Sequence, residues 1–232
     1  MRTFWRWRKV YKGQLNMGEL TDDPFQAARL ILTLRREGIT DSRVLRAVET
    51  VPRSMFIEPE LADLAYEDCV LPIGCGQTLE RPSVVAGMLQ ALQLGSKADK
   101  KVLIVGVGSG YAAALVMELA RYVAGIERFR RLADRAVKNL ARAGVDSVQV
   151  KNDDGLLGWL DVAPFDRILL TGAVPKIPDA LLGQLGKGGF CVAPIEEGGK
   201  TELLSVNADG TCLQRQASVL HTPLRNGVSK AL

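Results

Sequence analysis

The stretch VLIVGVGSGY at 102–111, followed by the acid-tipped segment YVAGIE at 122–127, constrains the fold more than any other part of the chain. VLIVG reads as a fully apolar strand and YAAALVMELAR as a helix. Between them Gly106, Gly108 and Gly110 form a strand-to-helix turn, where glycines let the backbone approach a ligand closely. Glu127 ends the next strand 21 positions after Gly106. A carboxylate at that distance accepts hydrogen bonds from both ribose hydroxyls of a bound nucleoside. The stretch from Val102 to Gly125 is apolar enough to suggest a membrane span. Glu118, the three glycines and Arg121 favour strand, turn and helix instead.

The rest of the chain repeats this rhythm. RFRRLADRAVKNLARAG reads as a helix ended by Gly144. SVQVK, DRILLT, GFCVAP and TELLSV read as short strands, with one helix around Ala180–Leu185. Alternating strands and helices predict an α/β fold: a doubly wound, mostly parallel sheet. Upstream, apolar spacing predicts a helix over 24–37, one from an Asp41 N-cap to Pro52, and one from Pro82. LPIGCGQTLERPS, with two glycines and two prolines, reads as a shaped loop rather than a regular element. The expected organisation is an arm over 1–16, N-terminal helices and a substrate loop over 17–95, and an α/β core over 96–232.

Charge and composition exclude several functions. The net charge of +4 is uneven: Arg2, Arg6, Arg8, Lys9 and Lys12 fall in the first 12 residues. Without those five, 25 basic residues face 26 acidic ones. The body lacks the basic excess of a nucleic-acid binder, so nucleic acid is not an expected partner. The arm alternates bases with Phe4, Trp5, Trp7 and Tyr11 and is expected to be a disordered extension. It has no apolar signal core, and no membrane association is expected. The four cysteines lack CxxC spacing and read as reduced thiols of a cytoplasmic protein. A single histidine, His221, excludes a multi-histidine metal centre, and no metal is expected.

The glycine spacing selects the nucleoside. Dinucleotide sites favour G-x-G-x-x-G, with the pyrophosphate on the helix N-terminus. Here the third glycine arrives one residue early and Tyr occupies position 111. GxGxG suits S-adenosyl-L-methionine (SAM), which has no phosphates and needs room for its methionine tail. Asp153 and Asp154 follow the strand SVQVK, where an acid reaches an adenine amino group or caps a turn.

In register along 24–232, the chain resembles the protein-L-isoaspartate O-methyltransferase family. The matching segments are VLRAVETVPRSMF, AYEDCVLPIGCGQT with RPSVVAGML, VLIVGVGSGYAAAL, GIERFRRLADRA, DG at 154–155, FDRILLTGAVPKIPDALLGQLGKGG and HTPL. The resemblance implies a class I (Rossmann-like) SAM-dependent methyltransferase fold. It implies SAM as donor and methyl transfer to the α-carboxylate of L-isoaspartyl residues in damaged proteins, a repair reaction. Its SAM-binding positions fall on Gly106, Gly108, Gly110, Glu127 and Asp154. Asp153 stands where the family usually has Gly, and Val105 where it commonly has an acid.

The substrate loop departs further. Glu80 replaces the serine that the resemblance implicates in catalysis, and Ser83 stands where the family often has His. Methyl transfer to an ionised carboxylate needs no strong base, only alignment and hydrogen bonds. An ionised Glu80 about 4 Å from the acceptor would repel it by roughly 4 kcal/mol at an effective dielectric of 20. Three arrangements avoid this: Glu80 is protonated, pairs with Arg81, or turns outward while Thr78 and Ser83 supply hydroxyls. Thr78, Glu80 and Ser83 are therefore the candidate catalytic residues. A different acceptor, such as an amine that welcomes Glu80, and a SAM-binding module without transfer remain the competing readings.

Overall fold

The computed structural model describes residues 24–95, 100–218 and 221–229. The expected arm over 1–16 lies outside the described residues. Three helices precede the main sheet: α1 (Pro24–Arg36), α2 (Ser42–Thr50) and α3 (Pro82–Ala91). Asp41 caps α2, accepting from the Arg43 N–H at 2.9 Å. Val44, Leu45, Ala47 and Val48 bury one face of α2 at helical spacing.

The stretch expected to be a loop is a two-stranded antiparallel hairpin, β1 (Leu71–Gly74) and β2 (Gln77–Leu79). Its strands are too short for a periodic signal, and the glycines that obscured them make the turn. Gly74, Cys75 and Gly76 all have positive φ there (89°, 53° and 65°). Leu71, Ile73 and Leu79 point into the core.

The main sheet contains β3 (Lys101–Val105), β4 (Tyr122–Glu127), β5 (Gln149–Asn152), β6 (Phe165–Leu170), β7 (Leu185–Glu197), β8 (Lys200–Asn207) and β9 (Cys212–Ala217). Helices α4 (Tyr111–Leu119), α5 (Arg130–Arg142) and the short α6 (Asp179–Leu182) alternate with the earlier strands. The strand order is β5-β4-β3-β6-β7-β8-β9. The first five strands in this order run parallel, as expected of a mostly parallel doubly wound sheet. β8 and β9 run antiparallel to their neighbours. Gly198 and Gly199, both at positive φ, join β7 to β8, and two residues can reverse a chain but cannot cross over a sheet. β9 escaped the sequence reading because most of CLQRQA is exposed, so no apolar alternation marks it.

Alternate residues of the central strands enter two cores. Val102 and Ile104 pack with the buried residues of α1 to α5. Leu103 and Val105 pack on the opposite face with Phe165, Ile168, Leu181 and Leu182. β3 has β4 on one side and β6 on the other, so the connections diverge there. That divergence opens a crevice beyond the carboxyl ends of the strands. Among the described residues, no helix is long and apolar enough to cross a membrane.

Candidate functional site

A cavity of about 420 Å³ fills this crevice, within the range of small-molecule sites. Its polar wall includes Thr78, Glu80, Gly108, Glu127, Thr171 and Thr222. Ile73, Val85, Met88 and Leu156 supply apolar surface.

Glu127 ends β4 with its carboxylate only 5% exposed. Its Oε2 accepts from the Gly108 N–H and its Oε1 from the Phe129 N–H, both at 2.9 Å. Burial raises its pKa, and these backbone hydrogen bonds oppose the rise. Each carboxylate oxygen keeps a further acceptor site, which is what a pair of ribose hydroxyls requires.

The three turn glycines divide in role. Gly106 and Gly108 line the cavity. At Gly106 (φ 87°) a Cβ would lie 2.5 Å from Thr171 Oγ1, which donates to the Gly106 carbonyl at 2.6 Å. Gly110 lies outside the wall: at φ 96° it faces Leu140 and the Ala136 backbone of α5. The structure places Gly110, expected among the SAM-binding positions, where it lets α4 start close against α5.

Asp154, expected among the SAM-binding positions, makes backbone hydrogen bonds of its own. Its Oδ1 accepts from the Leu156 N–H at 3.0 Å and its Oδ2 from the Gly227 N–H at 2.6 Å. Asp154 is absent from the cavity wall, where its neighbours Gly155 and Leu156 lie instead. Its carboxylate caps a 3₁₀ turn and tethers the C-terminal segment. Asp153 pairs with Lys151 at 2.7 Å, which lowers its pKa.

The other end of the cavity is built by the hairpin and that same C-terminal segment. Arg135 of α5 donates to the Ile73 carbonyl at 3.1 Å, anchoring β1. Thr222, Pro223, Leu224 and Arg225 close the other side of the cavity. They are held by Ala173 N–H to the Thr222 carbonyl (3.0 Å), Leu224 N–H to the Ala173 carbonyl (2.8 Å), and Arg128 to the Gly227 carbonyl. Thr78 and Thr222 bring their hydroxyl oxygens within 3.2 Å. Thr171, Thr222 and Arg225 were not among the residues singled out from the sequence. The HTPL match was the available signal for Thr222, but contact across 144 positions is not visible in one dimension.

Ser83 does not enter the cavity. Its Oγ donates to Asp68 Oδ2 and its N–H to Asp68 Oδ1, both at 2.8 Å. Asp68 thereby caps α3 from outside the helix, and the Ser83 hydroxyl is committed to that cap.

Glu80 lines the cavity and is half-buried. Arg53, itself 1% exposed, fixes this corner. Its guanidinium donates to the carbonyls of Glu80 (3.1 Å), Cys69 (2.9 Å), Ala65 (3.1 Å) and Glu67 (3.3 Å). No ion pair among the described residues reaches the Glu80 carboxylate. Burial raises its pKa, and the neighbouring Arg81 charge partly opposes this. Among the described residues, no group of three His, Cys, Asp or Glu side chains is placed to hold a metal ion.

The family model for protein-L-isoaspartate(D-aspartate) O-methyltransferase matches residues 25–229. A protein-L-isoaspartate O-methyltransferase of Parvibaculum lavamentivorans is 44% identical over 206 residues, covering 87% of this chain and 92% of the relative. One from Maricaulis maris is 39% identical over 206 residues, covering 88% and 96%. Among solved structures, a Plasmodium falciparum protein of that description, in complex with S-adenosyl-L-homocysteine, superposes with a TM-score of 0.74. It is 23% identical and covers 85% of this chain and 97% of its own, which supports the fold.

Proposed function

The chain belongs to the protein-L-isoaspartate O-methyltransferase family, and on that premise we propose that its crevice binds SAM at the Glu127 end and the acceptor at the Thr78–Thr222 end. The protein is a SAM-dependent methyltransferase that methylates L-isoaspartyl residues of damaged proteins. SAM, when bound, supplies an electrophilic methyl group.

The residues present fit that group. The Glu127 carboxylate, held by two backbone N–H groups, offers its remaining acceptor sites to a ribose. Gly106 and Gly108 let the backbone come close to the ligand there, and Ile73, Val85, Met88 and Leu156 give the cavity apolar surface. At the other end, the Thr78 and Thr222 hydroxyls serve as donors to an acceptor carboxylate that gives up its hydration. That carboxylate is ionised at neutral pH, so positioning rather than deprotonation is what these residues contribute.

The observation that carries this assignment is the continuity of the cavity: Glu127 and the threonine pair border one crevice. The substrates are proteins or peptides containing isoaspartate. A cytoplasmic location is supported by four unpaired cysteines, Cys69, Cys75, Cys191 and Cys212.

The direct test is radiolabelled methyl transfer to an isoaspartyl peptide beside its ordinary aspartyl counterpart. Label should enter the isoaspartyl peptide alone, as a base-labile ester. Equal labelling of both peptides, or none of either, would refute the acceptor assignment.

A further inference from the structure

The position of Glu80 creates a conflict that the proposed acceptor must resolve. A site assigned to a carboxylate has an acidic residue, Glu80, in its own lining. Of the three arrangements open to Glu80, two conflict with the structure. A fully outward Glu80 is disfavoured, because the residue lines the cavity and is half-buried. It is not paired with Arg81, because no ion pair reaches it among the described residues. The hydroxyl offered by Ser83 is also unavailable, since Asp68 holds it.

We propose that Glu80 takes up one proton from solvent when the acceptor binds and, as a neutral carboxylic acid, donates its O–H to the acceptor carboxylate. This rests on the acceptor assignment made above. The acid form then does a hydroxyl's work: one donor aimed at one acceptor oxygen, leaving the other oxygen free to react. Two carboxyl groups confined to one half-buried site repel, which raises the pKa of one of them and favours a single proton held between them. The proton returns to solvent when the uncharged methyl ester leaves.

The charged groups around Glu80 permit this. Arg81 favours ionisation through both its charge and its backbone N–H, but less than burial opposes it. The Arg53 guanidinium reaches the Glu80 backbone and is shared among four carbonyls. Arg225 and Glu127 line the same cavity with opposite charges. Asp68 is held by Ser83. His221, next to Thr222, is uncharged at neutral pH because burial lowers its pKa to about 4.

The test has a binding arm and a rate arm. In the first, an isoaspartyl peptide is titrated calorimetrically into protein saturated with S-adenosylhomocysteine. Two buffers of different ionisation enthalpy are used at about pH 7.5. Wild type should take up close to one proton per peptide, and Glu80→Gln and Glu80→Ser close to none. In the second arm, wild-type kcat/KM should fall with rising pH, approaching tenfold per unit in the limit. It should be nearly flat in Glu80→Gln and in Glu80→Ser, the latter retaining a hydroxyl. Binding without proton uptake in wild type, or equal uptake in all three proteins, overturns the proposal while leaving the acceptor assignment intact. Loss of peptide binding in both variants also overturns it, since a neutral donor at this position would then not be what holds the acceptor. An isoaspartyl peptide that neither binds nor is methylated, with S-adenosylhomocysteine still bound, removes the acceptor assignment and this proposal together.

Discussion

The Gly108 N–H donates to the Glu127 carboxylate across 2.9 Å, joining the turn after β3 to the tip of β4. The acid assigned to the ribose therefore also shapes the floor on which the ligand lies. Glu127→Ala should weaken SAM binding by about 1–3 kcal/mol, the loss expected for charge-assisted hydrogen bonds. Titration of wild type and variant measures this, and unchanged affinity would refute the assignment. The unliganded variant should also melt lower, because the N–H groups of Gly108 and Phe129 lose their acceptor.

Gly110 separates packing from binding. Alanine there would combine a left-handed φ of 96° with a Cβ 3.2 Å from Leu140 and 3.3 Å from the Ala136 carbonyl. Gly110→Ala should cost about 1–3 kcal/mol of stability. Because Gly110 does not line the cavity, the folded fraction should bind S-adenosylhomocysteine within about twofold of wild type, since nothing binding-competent is removed. A variant that keeps its melting temperature but loses affinity would reverse this assignment.

Arg53 is a positioning residue for the acceptor corner. Arg53→Met would leave four carbonyls without their donor, with an expected loss of about 3–5 kcal/mol. Arg53→Lys keeps a cation but cannot bridge four carbonyls with one fork. In that milder variant KM for the isoaspartyl peptide should rise several-fold with little change in SAM affinity. Parallel losses for both ligands would mean that Arg53 supports the domain generally rather than this corner.

His221 is buried, with Nε2 2.9 Å from the Ser218 hydroxyl and Nδ1 lacking a partner among the described residues. Its folded pKa of about 4 lies below the ordinary 6.5, so protonation favours the unfolded chain. Its contribution is complete above about pH 6.5 and is lost as pH falls towards 4, with an upper bound of about 3 kcal/mol. Urea unfolding at about pH 7 and pH 4.5 should show a smaller pH-dependent loss in His221→Gln than in wild type. Identical pH dependence would show that His221 is not responsible.

The local order of the chain determined much of this molecule. The apolar run 102–105 makes a strand in any buried setting, and the glycines after it make a turn. Glu127 follows at the tip of the next strand because one helix of ordinary length separates the two. These relations are short-range, so periodicity and spacing carry them. Tertiary structure decided which acids and hydroxyls face the cavity. Asp154 and Ser83 sit beside cavity residues in sequence, yet the Gly227 N–H and Asp68 claim their side chains from 73 and 15 positions away. Thr222 joins Thr78 only because the C-terminal segment crosses beside Ala173 and returns to the hairpin. A hydroxyl or carboxylate bonds the nearest partner in space, and those partners are set by packing that brings distant segments together.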